Sequence, residues 1–326
     1  MASTPLYPLR FEPIFKSALW GGRRLAELFP GAPAEGPVAE AWVLSDQGDN
    51  VSRVAEGPLA GTTLRELMRD RREELLGAAL AHHETFPLLL KFIDARESLS
   101  VQVHPDDTLA EALADVPRGK TEAWVVLHAE PGSRIYAGLR EGVGRTELER
   151  AVAWGHAADC LHSFQPNAGD CVLLPACTVH ALGAGVTVFE IQQTSDTTYR
   201  LFDWNRTDAK TGRPRELHVE KALACTDFSR GPVHAVNSNK AQTGCGFVER
   251  LVRCDYFALD RLHTTEPIHL PPFRCGVLVG LTGHATLSHR SGRDSFGPND
   301  VVLIPHREEV ELIPDGQTEL LYCSPC

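Results

Sequence analysis

GDCVLLPACTVHAL, residues 169–182, and NDVVLIPHREEVEL, residues 299–312, align without a gap. They share Asp, Val, Leu, Pro and Leu, with Leu174 opposite Ile304. Each copy runs from a Gly or Asn turn through an apolar stretch to a proline, then resumes as a second stretch. Two copies of one β-unit show that order, although a common strand–turn pattern produces it too. His180 of the first copy stands opposite Val310 of the second. If the copies are related, the second has lost a polar group that the first keeps.

The surrounding segments extend this pattern. EAWVVLHA (122–129), GVTVFEIQQ (185–193), TYRLFDW (198–204), RCGVLVGLTG (274–283) and HATLSHR (284–290) are short and β-rich, with Gly, Pro, Asn or Asp between them. So many short strands predict an antiparallel sandwich or barrel. Helical signals concentrate in the first half. TLRELMRDRREELLGAALAHH (63–83) is amphipathic, with Thr63 and Glu66 spaced as a capping box, and His82 and His83 fall at its solvated end. RTELERAVAWGH (145–156) repeats the spacing with Thr146 and Glu149, and DTLAEALADV (107–116) predicts a short helix. A chain of 326 residues favours two domains. GPVHAVNSNKAQTG (231–244) places the boundary near residue 235, giving domains 1–235 and 236–326.

The hydrophobic share of 43% and charged share of 23% fit a soluble globular protein. A net charge of −11 argues against nucleic-acid and membrane-surface roles, which need a basic face. An anionic small molecule remains compatible, because a local cluster of cations is enough to bind one. MASTPLYPLRFEPIF lacks the apolar core of a secretion signal and no run is long enough to span a bilayer, so the cytoplasm is expected. Nine cysteines without a repeating spacing predict reduced, mostly buried thiols. The terminal CSPC (323–326) has no second pair at zinc-ribbon spacing and reads as a loose tail.

Chemistry concentrates around SLSVQVHPDD (98–107). In a strand Gln102 and His104 share a face, and Pro-Asp-Asp then ends it. GKTEAWVVL (119–127) brings Glu122 at the mouth of a strand with Lys120 two positions earlier, and His180 follows VLLP. Two imidazoles and a carboxylate, with or without an amide oxygen, suit a first-row transition metal and leave room for water or substrate. The ligands come from separate strands, so spacing alone does not decide the matter. His284, His289 and His306 lack such a partner pattern and predict surface or core-edge roles.

FPLLLKFIDARESLSVQVHPDD (86–107), GKTEAWVVL and AGDCVLLPACTVHALGAGVTVFEIQQTSDTTYRLFDWNR (168–206) resemble type I mannose-6-phosphate isomerases, in particular their short bacterial form. PLRFEPIFKSALWGG (8–22) is similar too, so the resemblance runs to about residue 206. It implies a mainly β fold of two cupin-type jelly-roll barrels with a helical insertion, the second barrel degenerate. It also implies one zinc per chain, held by His104, Glu122 and His180, with Gln102 added in the long forms. Arg200 in TTYRLFDW falls on the catalytic arginine, and Lys120 on the lysine before the glutamate ligand. The implied reaction interconverts mannose 6-phosphate and fructose 6-phosphate through a cis-enediol, a step of carbohydrate metabolism. It needs a base and an electrophile for the developing oxyanion. Lys120 is a candidate base or a structural ion pair. Glu190 is a rival base or sugar contact, and Trp20 either stacks on the sugar or is buried core. An isomerase of another hexose or hexose phosphate, a non-haem iron oxygenase on the same two-histidine, one-carboxylate site, and an idle sugar-binding module are the alternatives. Lys120 and the QQTSDTTYR block have no use in an oxygenase.

Overall fold

A computed structural model describes residues 4–113, 118–207, 212–244 and 246–326. Contacts divide it into two compact units, both discontinuous in the chain. The first comprises Phe15–Trp42 and Leu90–Val236; the second comprises Met1–Ile14, Val43–Leu89 and Asn237–Cys326. The fold is mainly β.

In the first unit a six-stranded sheet runs in the order Ile14–Lys16, Glu40–Leu44, Leu88–Ala95, Val186–Gln193, Glu122–Ala129, Cys171–Leu174. A five-stranded sheet runs Tyr199–Phe202, Val101–Val103, His180–Leu182, Ile135–Leu139, Leu161–Phe164. Leu88–Ala95 and Val186–Gln193 are buried at every position, which explains their near-continuous apolar sequence. Alternation sorts the five-stranded sheet. Val101 and Val103 join Leu148, Tyr199, Leu201 and Leu223 in an apolar cluster under the helices Arg145–Ala153 and Val219–Cys225. Gln102, between the valines, is thereby turned to the opposite face. Full burial of Leu148 contributes about 2 kcal/mol to holding its helix there.

In the second unit the six-stranded order is Asn239–Thr243, Gly246–Arg253, Phe257–Thr264, Thr318–Pro325, Gly276–Thr282, Val301–Ile304. Its four-stranded sheet is Ile268–His269, Val310–Pro314, Ala285–His289, Gly292–Phe296. Taken in chain order, these strands follow the same path as those of the first unit. The likeness extends to single hydrogen bonds. Asp170 Oδ2 accepts from Asn167 N (2.7 Å), and Asp300 Oδ2 accepts from Gly297 N (2.9 Å). Gly169 N donates to Val126 O (2.8 Å), and Asn299 N to Gly280 O (2.9 Å). Positive φ recurs at aligned positions, at Gly169 and Asn299 and again at Cys177 (66°) and Arg307 (64°). Two non-glycine residues at positive φ in register mark a shared turn, because neither gains from the conformation intrinsically. Among the described residues no sheet closes on itself.

Three expectations need correction. The helix expected over 63–83 spans Leu64–Leu76, departs from helical geometry at Arg71 (φ −141°, ψ 28°), and ends at Gly77 (φ 85°) before a single 3-10 turn. Its Thr63–Glu66 capping box forms as read. The helix expected over 145–156 starts at Arg145 rather than behind Thr146: Glu147 Oε2 accepts from Gly144 N (3.1 Å), while Glu149 pairs with Arg145 (2.7 Å). CSPC is not a loose tail. Thr318–Pro325 is a strand between Phe257–Thr264 and Gly276–Thr282, with Cys323 fully buried. The helix from Asp107 is present to Leu113, and the remainder of that stretch falls outside the described residues. No helix among the described residues is long and apolar enough to cross a membrane.

Candidate functional site

Strand pairing assembles the site in the first unit. Arg200 pairs with Gln102, and Gln102 with His180, so the three form one row across the five-stranded sheet. Glu122 opens its strand in the six-stranded sheet, paired with Leu174 on one side and Gln192 on the other. His104 lies just past the strand Val101–Val103, where Pro105 ends it. The ligand atoms of His104, Glu122 and His180 all lie within 4.8 Å of one another, and the three side chains are buried.

The outer nitrogens of both imidazoles are occupied. His104 Nδ1 lies 2.7 Å from Thr197 O, and His180 Nδ1 lies 2.8 Å from Thr178 O. With Nδ1 donating to a carbonyl, Nε2 is the nitrogen that faces the centre, the orientation that metal-binding histidines take. His104 Nε2 is 3.5 Å from Glu122 Oε2, and His180 Nε2 is 3.1 Å from Oε1. Lys120 Nζ is 2.9 Å from Glu122 Oε2 and 3.3 Å from His104 Nε2. Despite these approaches neither Glu122 oxygen accepts a hydrogen bond of good geometry. A buried carboxylate left so is costly, and a cation between it and the two Nε2 atoms would remove the cost. The residues therefore fit a metal. Gln102 Nε2 is 3.3 Å from His180 Nε2, and a half-turn of the amide would present its oxygen at that place.

Electrostatics agree with that arrangement. Burial opposes charge on Glu122, but Lys120, His104 and His180 outweigh it and hold the carboxyl well below its ordinary range. Burial, reinforced by Lys120, drives His104 well below the usual imidazole value, so it is neutral. Glu190 goes the other way, pushed up by burial and by Glu122. Its Oε2 accepts from Trp124 Nε1 (2.8 Å), and Lys91 Nζ lies 3.4 Å from its Oε1. Arg200 is half-buried and donates to Ser100 Oγ (3.3 Å) and Glu216 O (2.8 Å).

Of the residues singled out in the sequence, His104, Glu122, His180, Lys120 and Gln102 come together, and Arg200 stands in the same row. Glu190 is buried two pairs along from Glu122, opposite Trp124. Trp20 lies in an apolar cluster with Ile93, Trp124 and Ala137, and only 5% of it is exposed, which leaves little ring free for a ligand. Sequence reading missed Gln192, which is fully buried beside Glu122. Its Nε2 donates to Gln193 O (2.8 Å) and Ser195 O (2.5 Å), pinning the loop that presents Thr197 O to His104. Its alternation with Glu190 in VFEIQQ was the available signal. Lys91, buried between Glu190 and Glu40 (3.7 Å), was also missed.

A mainly β chain with a buried group of two histidines and one carboxylate, backed by a lysine, defines the class of this protein as one with a site able to hold a metal ion. Comparison narrows the class. A family model for the phosphomannose isomerase type I catalytic domain matches residues 9–130. The probable mannose-6-phosphate isomerase GmuF of Bacillus subtilis is 38% identical over 273 residues, covering 83% of this chain and 84% of that protein. The mannose-6-phosphate isomerase ManA of Bacillus subtilis is 34% identical over 301 residues, covering 92% and 93%. The crystal structure of a Bacillus subtilis mannose 6-phosphate isomerase superposes with a TM-score of 0.88 at 27% identity, covering 97% of this chain and 99% of that one. The chain belongs to the type I mannose-6-phosphate isomerase family.

Proposed function

We propose that this chain is a zinc-dependent isomerase that interconverts mannose 6-phosphate and fructose 6-phosphate through a cis-enediol. The observation that carries this reading is the buried His104–Glu122–His180 group with Lys120 Nζ 2.9 Å from its carboxylate, in a chain of this family. His104, Glu122 and His180 would hold the zinc, with Gln102 within reach. When bound, zinc supplies an electrophile for the O1/O2 edge of the sugar.

The rest falls to side chains of this chain. Lys120, beside the carboxylate, is the candidate base that takes the proton from C2 of the aldose and returns it to C1. Glu190 is the competing base: burial and the neighbouring Glu122 raise its pKa, which makes its carboxylate a stronger proton acceptor. Arg200 keeps its charge and binds the developing oxyanion or the phosphate rather than carrying protons. Trp20, largely buried, supports the wall by packing more than by stacking. We further propose that each sheet pair is a cupin-type jelly roll. The two-fold recurrence of strand order and turn geometry supports this. Residues 1–235 would then carry all the catalytic side chains, and 236–326 a degenerate copy. The eight described cysteines are free thiols, which supports the cytoplasm as the compartment.

The test is an assay of the purified protein with mannose 6-phosphate and with free mannose, without redox cofactor or oxygen. Turnover of the phosphate ester with partial loss of C2 deuterium to water is expected. Equal efficiency on free mannose would overturn the phosphate-specific reading, because cations placed for a dianion add nothing to a free sugar.

A further inference from the structure

Strand register shows which residues of the second unit stand where the first has its His–Glu–His group. Glu122 pairs with Leu174, and Gly276 pairs with Ile304, the residue aligned with Leu174. Val310 stands for His180, and Leu270, whose N donates to Val310 O (2.9 Å), stands for Gln102. Glu190 pairs with Trp124, two positions past Glu122, and Tyr322 pairs with Leu278, two positions past Gly276. Ser324, two residues beyond Tyr322, then stands for Gln192. The metal-binding side chains are gone, yet a cavity of about 670 Å³ takes in Leu270, Tyr322 and Ser324.

Two observations point to a ligand. First, buried hydroxyls on the cavity wall have no partner. Tyr322 is 8% exposed and Ser324 4%. Neither hydroxyl makes a hydrogen bond among the described residues, and neither is sealed from solvent, so both open into the cavity. Burial pushes the Tyr322 phenol up from its ordinary value, which keeps it a donor at neutral pH. Its hydroxyl lies over Gly276, where a Cβ would come within 2.4 Å of it. The missing side chain at the place of Glu122 is what admits the ring.

Second, one cation at the rim is not neutralised. Asp260 is the one carboxylate on the wall among the described residues, and Arg253 holds both its oxygens (2.6 and 2.7 Å). His269 on the rim lies 3.7 Å from Glu311. Exposed Arg274 makes no hydrogen bond or ion pair among the described residues. It precedes Gly276 by two residues, so its guanidinium belongs to the end of the cavity that holds the two hydroxyls. Val248 and Leu262, paired with each other, wall the other end, since Leu262 faces Leu320 two rows beyond Tyr322.

An apolar chamber with three unmatched donors at one end, only one of them charged, calls for a singly charged acceptor on an apolar body. We propose that this cavity is a second binding site, for a small monocarboxylic acid with an aliphatic chain. The carboxylate lies against Arg274 and accepts from the Tyr322 and Ser324 hydroxyls, and the chain packs on Val248, Leu262 and Ile268. The guanidinium fork matches a carboxylate, whereas a phosphate dianion would leave one charge unmatched. Small-ligand pockets have this size and this mixture of apolar wall and few polar groups.

Isothermal titration calorimetry of the full chain with sodium octanoate tests this. Saturable binding is expected both with and without EDTA, because the site uses no metal. Hexanoate should bind roughly tenfold more weakly, the loss that two methylenes taken from an apolar wall produce. Arg274→Ala, at an exposed position, should weaken octanoate at least tenfold, leave the weaker binding of octan-1-ol as it was, and keep isomerase turnover unchanged. Tyr322→Phe should weaken octanoate about threefold or more, the loss of one hydrogen bond. No saturable binding, unchanged affinity in either variant, loss with EDTA, or equal affinity for hexanoate and octanoate would overturn the site. Octan-1-ol binding as tightly as octanoate would overturn the carboxylate assignment. A dimer in sedimentation that excludes octanoate would assign the cavity to a second copy of the chain and overturn the proposal. None of these outcomes bears on the catalytic reading.

Discussion

At the scale of single residues, the proposed metal centre rests on His104, Glu122 and His180 and on what orients them. His104→Ala or His180→Ala should empty it, taking metal from about one per chain to near none by elemental analysis, since losing one of three protein ligands removes much of the grip. Full occupancy in both variants would remove the ligand assignment. Arg200→Ala should keep its metal but lose on the order of 10² or more in kcat, the cost of a missing oxyanion donor. Gln192→Leu is subtler. It removes both bonds to the loop 193–195 that presents Thr197 O to His104, so metal affinity should fall roughly tenfold or more, as for other groups behind a ligand. Unchanged affinity by competition with a chelator would make Gln192 a core residue only. His104, His180 and Lys120 were legible because the family blocks contain them, and strand alternation placed His104 on one face with Gln102. Gln192 was not, because its part depends on which loop its amide meets.

At the scale of elements, caps and turns decide local stability. Thr63 Oγ1 accepts from Glu66 N (3.1 Å), so Thr63→Ala should cost about 1 kcal/mol, read as a lower thermal midpoint. Gly138 has φ 74°, and a Cβ there would lie 2.1 Å from Gly231 O. Gly138→Ala should therefore destabilise by about 1–3 kcal/mol. Gly31→Ala, with open space and ordinary φ, should change stability by less than about 0.5 kcal/mol. Equal effects at the two glycines would refute the steric account. The capping box at Thr63 was readable from spacing. The start of the helix at Arg145 was not, because Thr146–Glu149 and Gly144–Glu147 have the same spacing, and the chain's exit from the preceding turn selects the second.

At the scale of the whole molecule, charge and repetition matter. Burial pushes the Asp203 carboxyl up, but hydrogen bonds from Arg215 (Nε, 2.8 Å) and Arg206 outweigh it and hold it below the usual carboxylate value. A depressed acid contributes stability that is present above its unfolded pKa and is lost as pH falls through the folded one. Asp203→Asn should thus cost about 1–3 kcal/mol at neutral pH and lose that difference below about pH 4. A deficit that persists undiminished in acid would mean the effect is not electrostatic. The second unit should hold no catalytic metal, since Val310, buried and apolar, stands where the first has His180. A crystal structure with a fully occupied metal within 236–326 would contradict this.

The sequence by itself determined the mainly β class and the repeated turn–strand–proline–strand unit, and its resemblance picked out His104, Glu122 and His180 as candidates. The first two follow from local alternation and turn chemistry carried by neighbours in the chain. Tertiary structure alone decided how the units are composed, since Val43–Leu89 groups with the C-terminal strands through contacts far apart in sequence. It also buried the CSPC tail as a strand between two others and sank Trp20 into the core. In each case the deciding energy is burial against a distant partner, and no short stretch of sequence records which partner that is.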